Sequence, residues 1–456
     1  MRGIAYSLAE YIAGLTYSEI PEQVSDMAKK CIFDSFANMY CGRYSQMGEK
    51  IIAYTRNFPE AVYGEQEISL LGGGRSSRQD VTKIHAVLAR CADLDDGNRF
   101  AMGHPGSVII PAAMAAGEVK NQTAEEILTA IVAAYDVYGR IGRAINPSSY
   151  REKGFDATGI VGAVSCAAAI GKLYGLSAEE LKHALGIAGT FSGGLIEYQN
   201  DGTMGKVLCG CFAIETGWKA VQLAKSGFTG PEEIFEGKKG FFQAFSVTPD
   251  GSAVLENLGQ DFKISETYFK KHACMRGLHA AVDAVLELRN KQGLRAEEVE
   301  SILVHTTSFV KRLSKPHPDT LIAAQCSLEF ALAAALEEGN ISREEVLEEA
   351  MHEERVYELA SKITLEMDDE LKAYVEKNPS HWGAVRLEAH KKNGDVLECF
   401  VPLPEGEAEK PLGWEALYEK FAHMTEGTPY EKRTDELYEK FRNFEKQGDI
   451  TDIYRL

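Results

Sequence analysis

The residues best equipped for chemistry lie between positions 93 and 106. Asp93, Asp95 and Asp96 place three carboxylates in four residues, and His104 follows within Gly103-His104-Pro105-Gly106. A triplet of this kind is ordinarily a solvated turn or the start of a helix. Here it abuts the apolar run 108–116, and like charges held close raise one another's pKa. A carboxylate tuned in this way can act as a general base or orient a neighbouring imidazole. Lys206 sits in the Gly-rich, mostly apolar stretch 202–210, either a surface lysine on a loop or a cation aimed at a carboxylate. A third concentration is Lys270-Lys271-His272-Ala273-Cys274-Met275-Arg276-Gly277-Leu278-His279. A lone His entering a helix reads as structural, but four basic or imidazole neighbours make His279 part of a candidate anion site.

Composition bounds what such groups could serve. The chain has 456 residues, 45% apolar and 26% charged, which is globular and long enough for two or three domains. Its formal net charge of −19 argues against binding nucleic acid or an anionic membrane, which needs a basic face. An anionic ligand must then be held by a few basic groups in a cleft. Nine cysteines, an odd count without a CxxC pair, read as free thiols in a reducing compartment rather than disulfides or structural zinc. Leu71-Gly72-Gly73-Gly74 lacks the spacing of a nucleotide-binding motif and reads as a turn. Residues 1–10 lack the apolar core of a signal peptide, so a cytoplasmic protein is expected.

The elements that must position these groups follow from periodicity. Up to about residue 260 the apolar spacing is helical. Pro21 opens a helix and Gly42 follows it, with Val24, Met27, Ala28, Cys31, Ile32 and Phe36 on one stripe. Thr123 with Glu126, and Ser177 with Glu180, are capping boxes. The stretch 100–117 is uncharged but holds Pro105 and Pro111, predicting a loop and then a buried helix. The small-residue run 159–171 predicts a central helix packed on several sides. Near residue 265 the pattern changes. Residues 301–307 and 384–390 read as strands, the second joined to 396–401 across Asn393-Gly394 as a hairpin. Helical runs cover 327–339 and, after a Ser342/Glu345 capping box, 346–360. Beyond Pro402 and Pro404, Leu417-Tyr-Glu-Lys-Phe421 recurs at 437–441, a pair of amphipathic helices. The expected organisation is a helical domain over 1–264, an inserted α+β domain over 265–403, and a return of 404–456 to the helical domain. A ligand site is expected in the cleft between them.

The run Asp93-Leu-Asp-Asp96…Gly103-His-Pro-Gly106…Pro111-Ala-Ala113 resembles the D-x-D-D…HPG…P-A-A signature of the MmgE/PrpD family. Further blocks follow in family order. They are Ala134-Tyr135-Asp136-Val137-Tyr138-Gly139-Arg140, Gly154-Phe155-Asp156-Ala157-Thr158-Gly159, Lys206-Val-Leu-Cys-Gly210, Gly227-Phe-Thr-Gly230-Pro231, Lys271…Cys274…His279 and Ala324-Gln325-Cys326-Ser327. The family includes 2-methylcitrate dehydratase, cis-aconitate decarboxylase and iminodisuccinate epimerase. The resemblance implies a mainly α fold, with a large all-helical domain built from both chain ends and an inserted smaller α+β lid. It also implies a homodimer and chemistry on small carboxylates without metal or organic cofactor. The family's catalytic positions carry over onto Asp93, His104, Lys206 and His279, and the matching upstream lysine onto Lys271.

The departures concern the same region. The family often has Asn-Gly and a His before D-x-D-D, where this chain has His85, Ala86 and Arg90. It usually has His where Asp156 stands, and commonly Tyr where Phe330 stands. The expected substrate contacts are Asp156, Lys271, Arg276 and His85. An aspartate facing a substrate carboxylate at 4 Å costs about 4 kcal/mol at an effective dielectric of 20. A hydroxyl or amino group facing Asp156 is therefore expected, favouring a dehydratase or epimerase. The alternatives are a decarboxylase of a cis-aconitate-like acid, or an inactive paralogue that binds a metabolite. Asp156 could otherwise turn away to Arg151 or Lys153. Two spatial expectations complete the reading: Asp93 positions His104, and Lys206 faces His279 across the cleft.

Overall fold

The computed structural model describes residues 3–60 and 67–456; Met1 and Arg2, which begin the segment read for signal character, lie outside the described residues. Pro21 immediately precedes helix α1, Glu22–Gly42, whose Val24, Ala28, Cys31, Ile32 and Phe36 are buried as the stripe predicts. Helix α2, Arg78–Cys91, is capped by Ser77, whose hydroxyl accepts from Asp80 N. Helix α3, Gly106–Lys120, follows the loop before it as an almost wholly buried element. Helix α4, Ala124–Ile145, starts from the Thr123/Glu126 capping box, and the Ser177/Glu180 box opens helix Ala178–Thr190.

Helix α5, Ala157–Leu173, lies at the centre, packed against α3, α4, helix Ala178–Thr190 and α6, Gly205–Lys225. Only Lys172 of α5 escapes burial. The small residues make this possible: a Cβ added at Gly217 of α6 would sit 2.7 Å from the Cys166 Cβ of α5. Helix axes this close exclude any side chain at the crossing.

The four-stranded sheet of the second half runs β1 (Val299–Thr306), β2 (Ile363–Met367), β3 (Val385–Lys391) and β4 (Val396–Val401), in spatial order β2-β1-β3-β4. β3 and β4 form the hairpin around Asn393-Gly394, pairing Val385 with Val401 and His390 with Val396. β2 was not expected. It pairs parallel to β1 at the sheet edge and lacks a clean alternation of buried and exposed residues. The expected helix 346–360 is two helices, Glu344–Ala350 and Glu354–Ala360. Ser342 does not cap the first: its hydroxyl donates to Asn340 Oδ1, and Arg343 holds the cap position.

Helices Trp414–Thr425 and Thr434–Arg442 pack on α1. Phe421 stacks on Phe33 with ring centres 4.6 Å apart, and Phe441 lies beside Phe33 and Phe36. Lys420 donates to Asp34 Oδ1 at 2.5 Å and to the Leu94 carbonyl at 2.7 Å, tying this end of the chain to the loop that carries the acidic triplet. Among the described residues no helix is long and apolar enough to cross a membrane. All nine cysteines are free.

Candidate active site

A cavity of about 480 Å³ opens between the helical layer and residues 268–277, with Cys326, Pro379 and Trp382 on the same side. The loop after α2 forms its floor. Asp93 takes a left-handed backbone conformation, φ 53°, unusual for a residue with a Cβ, and turns the chain sharply out of the helix. Asp93, Asp95 and Asp96 are all buried, so the triplet is not a solvated turn. Each carboxylate has a different environment.

Asp93 Oδ1 accepts from Lys270 Nζ at 2.7 Å and pairs with Lys206 Nζ at 3.0 Å; Arg90 Nη1 stands 3.7 Å away. Burial pushes the Asp93 pKa up, but these three cations outweigh it and hold the carboxyl well below the usual range. Lys206 lies in the first turn of α6, buried, and also donates to Gln325 Oε1 at 3.0 Å. Asp95 accepts from Arg90 Nη1 at 2.9 and 3.0 Å and is likewise held low against the effect of burial. Asp96 accepts from Gly106 N at 2.8 Å and from Tyr135 OH at 2.6 Å. Burial pushes Asp96 up to about 7. A Cβ at Gly106 would fall 2.5 Å from Asp96 Oδ1, so glycine is needed where α3 begins.

His104 Nδ1 lies 2.8 Å from the Asp96 carbonyl oxygen and 3.2 Å from Asp95 Oδ2. Both are acceptors, so Nδ1 carries the proton and Nε2 is left as the basic nitrogen of the neutral ring. Burial and then Arg90 lower the His104 pKa, with Asp95 opposing. The imidazole is thus neutral at pH 7. Its orienting carboxylate is Asp95; Asp93, expected in that place, is taken by Lys206 and Lys270.

Of the sequence-predicted site residues, Asp93, His104, Lys206, Asp156 and Arg276 line the cavity. Asp156 caps α5: Oδ1 accepts from Thr158 N and Oδ2 from Tyr198 OH, both at 2.8 Å. Lys153 turns instead to the carbonyl of Ala244. Arg276 donates from Nε to Glu407 Oε1 at 3.0 Å and lies over the Tyr268 ring.

Three expected residues do not line it. His279 is wholly buried in the first turn of helix His279–Gln292; its Nε2 faces the Cys274 carbonyl at 3.2 Å and its ring packs on His272. It does not face Lys206 across the cleft as expected, because residues 275–277 form the cavity wall there. Burial, then Arg276, lowers the pKa of His279 well below an ordinary imidazole. Lys271 is half exposed and pairs with Glu405 at 2.7 Å. The cavity lysine is Lys270, its neighbour. His85 is buried, accepts from Leu71 N at Nε2 and stacks on Tyr454; burial lowers it to about 3. Phe330 packs on Tyr357, also outside the cavity lining.

Sequence reasoning did not assign Lys270, Arg90 or the outer arginines Arg99, Arg143 and Arg151, which all line the cavity. Arg90 carried a signal, since it departs from the family pattern. The arginines nearer the mouth carried none, being scattered over three segments. Together the lining holds seven basic side chains and two carboxylates in a chain of net charge −19. Among the described residues no group of three or more His, Cys, Asp or Glu side chains could hold a metal ion.

These features define a mainly helical protein with a cation-lined pocket over a buried Asp–Lys–His cluster. Residues 6–253 match the MmgE/PrpD N-terminal domain and residues 272–444 the MmgE/PrpD C-terminal domain, and the chain belongs to the MmgE/PrpD family. It is 24% identical to a cis-aconitate decarboxylase-like protein, oryM, of Aspergillus oryzae, over 99% of this chain and 97% of that one. It is 25% identical to a cis-aconitate decarboxylase of Aspergillus terreus, over 100% of this chain and 96% of that one. The Mus musculus cis-aconitate decarboxylase is 24% identical, over 92% of this chain and 86% of its own.

Proposed function

We propose that the cavity is the active site of a lyase or isomerase that removes a proton α to a carboxylate of a small hydroxy or amino acid. The observation that carries this reading is His104, whose Nδ1 is pinned by two acceptors while the ring lines a cavity shared with Lys206 and Lys270. His104 Nε2 takes the α-proton. The electron pair moves into the carboxylate as an enolate, which Lys206 and Lys270 stabilise, with Asp93 holding both ammonium groups. In dehydration the pair then expels a β-hydroxyl, which leaves as water with a proton. In epimerisation a proton returns to the opposite face. The network needs neither metal nor organic cofactor. Asp156 and Arg276 are the proposed substrate contacts; Lys271, His85 and His279 supply none from where they stand.

Decarboxylation of a cis-aconitate-like acid forms the same carbanion by loss of carbon dioxide, and the names of the relatives favour that second reading. An inactive metabolite-binding paralogue would use the same cavity. Residues 265–403 serve as the lid. A homodimer is supported by the apolar surface made by Phe191, Leu195, Met204, Leu208 and Phe212, all exposed. Nine free cysteines support a cytoplasmic setting.

NMR in deuterated water across hydroxy, amino and unsaturated di- and tricarboxylic acids tests the reading. Exchange at the α-carbon, with or without elimination, is the expected result. Carbon dioxide release from cis-aconitate without such exchange would favour the decarboxylase. Neither exchange nor turnover across the panel would favour the binding protein.

A further inference from the structure

Arg90 and Asp156 both stand where the family pattern has histidine, 66 positions apart, yet both line the one cavity. Arg90 is buried in the last turn of α2. Asp95 occupies its Nη1 at 2.9 and 3.0 Å, and Asp93 stands 3.7 Å from the same nitrogen. Nε, in contrast, is buried without a hydrogen-bond partner among the described residues. Nε and Nη2 share one edge of the planar guanidinium, the edge that grips a carboxylate through two parallel hydrogen bonds. A buried donor without a partner is costly, and a bound acceptor removes that cost.

Asp156 supplies the complementary group. Each of its oxygens already accepts one hydrogen bond, from Thr158 N or Tyr198 OH. Each retains a second lone pair. Its charge is also felt at Arg90. A pocket with a carboxylate-binding edge and a nearby acceptor recognises a group that carries an anion and a donor on adjacent atoms.

We infer that Arg90 and Asp156 form one subsite for the α-hydroxy- or α-amino-carboxylate end of the substrate, Arg90 taking the carboxylate and Asp156 the hydroxyl or ammonium. The inference rests on the reading of the cavity as an acid-binding site, adds Arg90 to its substrate contacts and gives Asp156 the group it selects. Neither contact is made by the proton-transfer residue.

Calorimetric titration with matched acids tests the subsite: succinate, malate and aspartate, then tricarballylate and citrate. Wild-type protein should bind malate, aspartate and citrate more tightly than the unsubstituted partners. Arg90→Gln should weaken every acid about 10- to 100-fold, the loss of a charged hydrogen-bonded pair. Arg90→Lys, which keeps the charge but not the fork, should recover only part of this. Asp156→Asn still caps α5 and should erase the preference for substituted acids. Binding unchanged in Arg90→Gln, a preference unchanged in Asp156→Asn, or no binding of any of the five acids overturns the subsite. If Arg90→Gln does not fold, Arg90→Lys and Asp156→Asn decide by the same criteria. Arg90-dependent binding without α-proton exchange would instead defeat the proton-abstraction reading and leave the subsite standing. Exchange insensitive to both substitutions would do the reverse.

Discussion

The two walls of the cavity supply their charges differently. On the helical wall, Arg90 and Lys206 project from the ends of long helices, and His104 is fixed by a short loop between α2 and α3. On the facing wall, Lys270 and Arg276 come from an irregular segment that begins with the two-residue strand Thr267–Tyr268. Beyond Tyr268 the backbone is neither strand nor helix up to Met275, so no periodicity marks which of two neighbouring side chains turns inward. Lys270 is 1% exposed on Asp93, whereas Lys271 is half exposed on Glu405. On a helix a shift of one residue rotates a side chain by about 100°, and the apolar stripe shows which face is buried. The motif placed His104 and Lys206 in the cavity on the helical wall, and on the other it located the lysine only to within a residue.

The largest effect should come from the helical wall. His104→Ala is expected to lower α-proton exchange or turnover about 10²–10⁴-fold in folded protein, the range for general acid–base catalysis. Because burial and Arg90 depress its pKa, the loss of rate due to His104 should come only on acidification below the ordinary imidazole value of about 6.5. Asp96, pushed up to about 7 by burial, adds a step of its own, so it is the Asp96→Asn variant whose rate should be flat near neutral pH. An inflection above about 6.5 in that variant would contradict the assignment of His104.

A paired substitution addresses the facing wall. Lys270→Met should reduce the rate on the order of 10²-fold, as for the loss of one group that stabilises developing charge. Lys271→Met should change it less than about twofold. Comparable losses in steady-state assays of the two variants would break the proposed difference between neighbours.

The next effect concerns a buried carboxyl outside the cavity lining. Glu344 begins helix Glu344–Ala350, and neither of its carboxylate oxygens has a hydrogen-bond partner among the described residues. Burial, then Glu345 and Glu348, pushes it up to about 8 from an ordinary 4.5. The folded state therefore holds a proton that the unfolded state releases between those values. This contribution to stability is full below about pH 4.5 and lost as pH rises through about 8. Glu344→Gln should stabilise the protein on the order of 1–3 kcal/mol at pH 8 and have little effect at pH 4.5, by denaturant unfolding. Equal effects at both pH values would mean that Glu344 does not titrate in this range.

The smallest effect is expected at His279. His279→Gln should leave KM within about threefold, since the ring lies behind the cavity wall, while lowering the unfolding temperature. A large rise in KM with an unchanged unfolding temperature would bring His279 into direct contact with substrate.

Local signals in the chain were sufficient for much of the scaffold. The capping boxes at Thr123 and Ser177, the small-residue helix α5 and the Asn-Gly hairpin each depend on hydrogen bonds or packing patterns written within a few residues. The positions of Asp93, His104 and Lys206 were legible for a similar reason, since each belongs to a compact block of distinctive residues. Edge strand β2 was not legible, because its pairing with β1 is made across 61 residues and its own alternation is weak. Tertiary structure alone decided that Asp95 rather than Asp93 faces His104, that Lys270 rather than Lys271 enters the cavity, and that Phe330 stays out of it. It also brought Arg90 and Asp156 together from separate helix ends. Backbone geometry is set largely by neighbours in sequence, whereas the direction of a charged side chain is set by where the opposing charge lies, and here those charges arrive from distant parts of the chain.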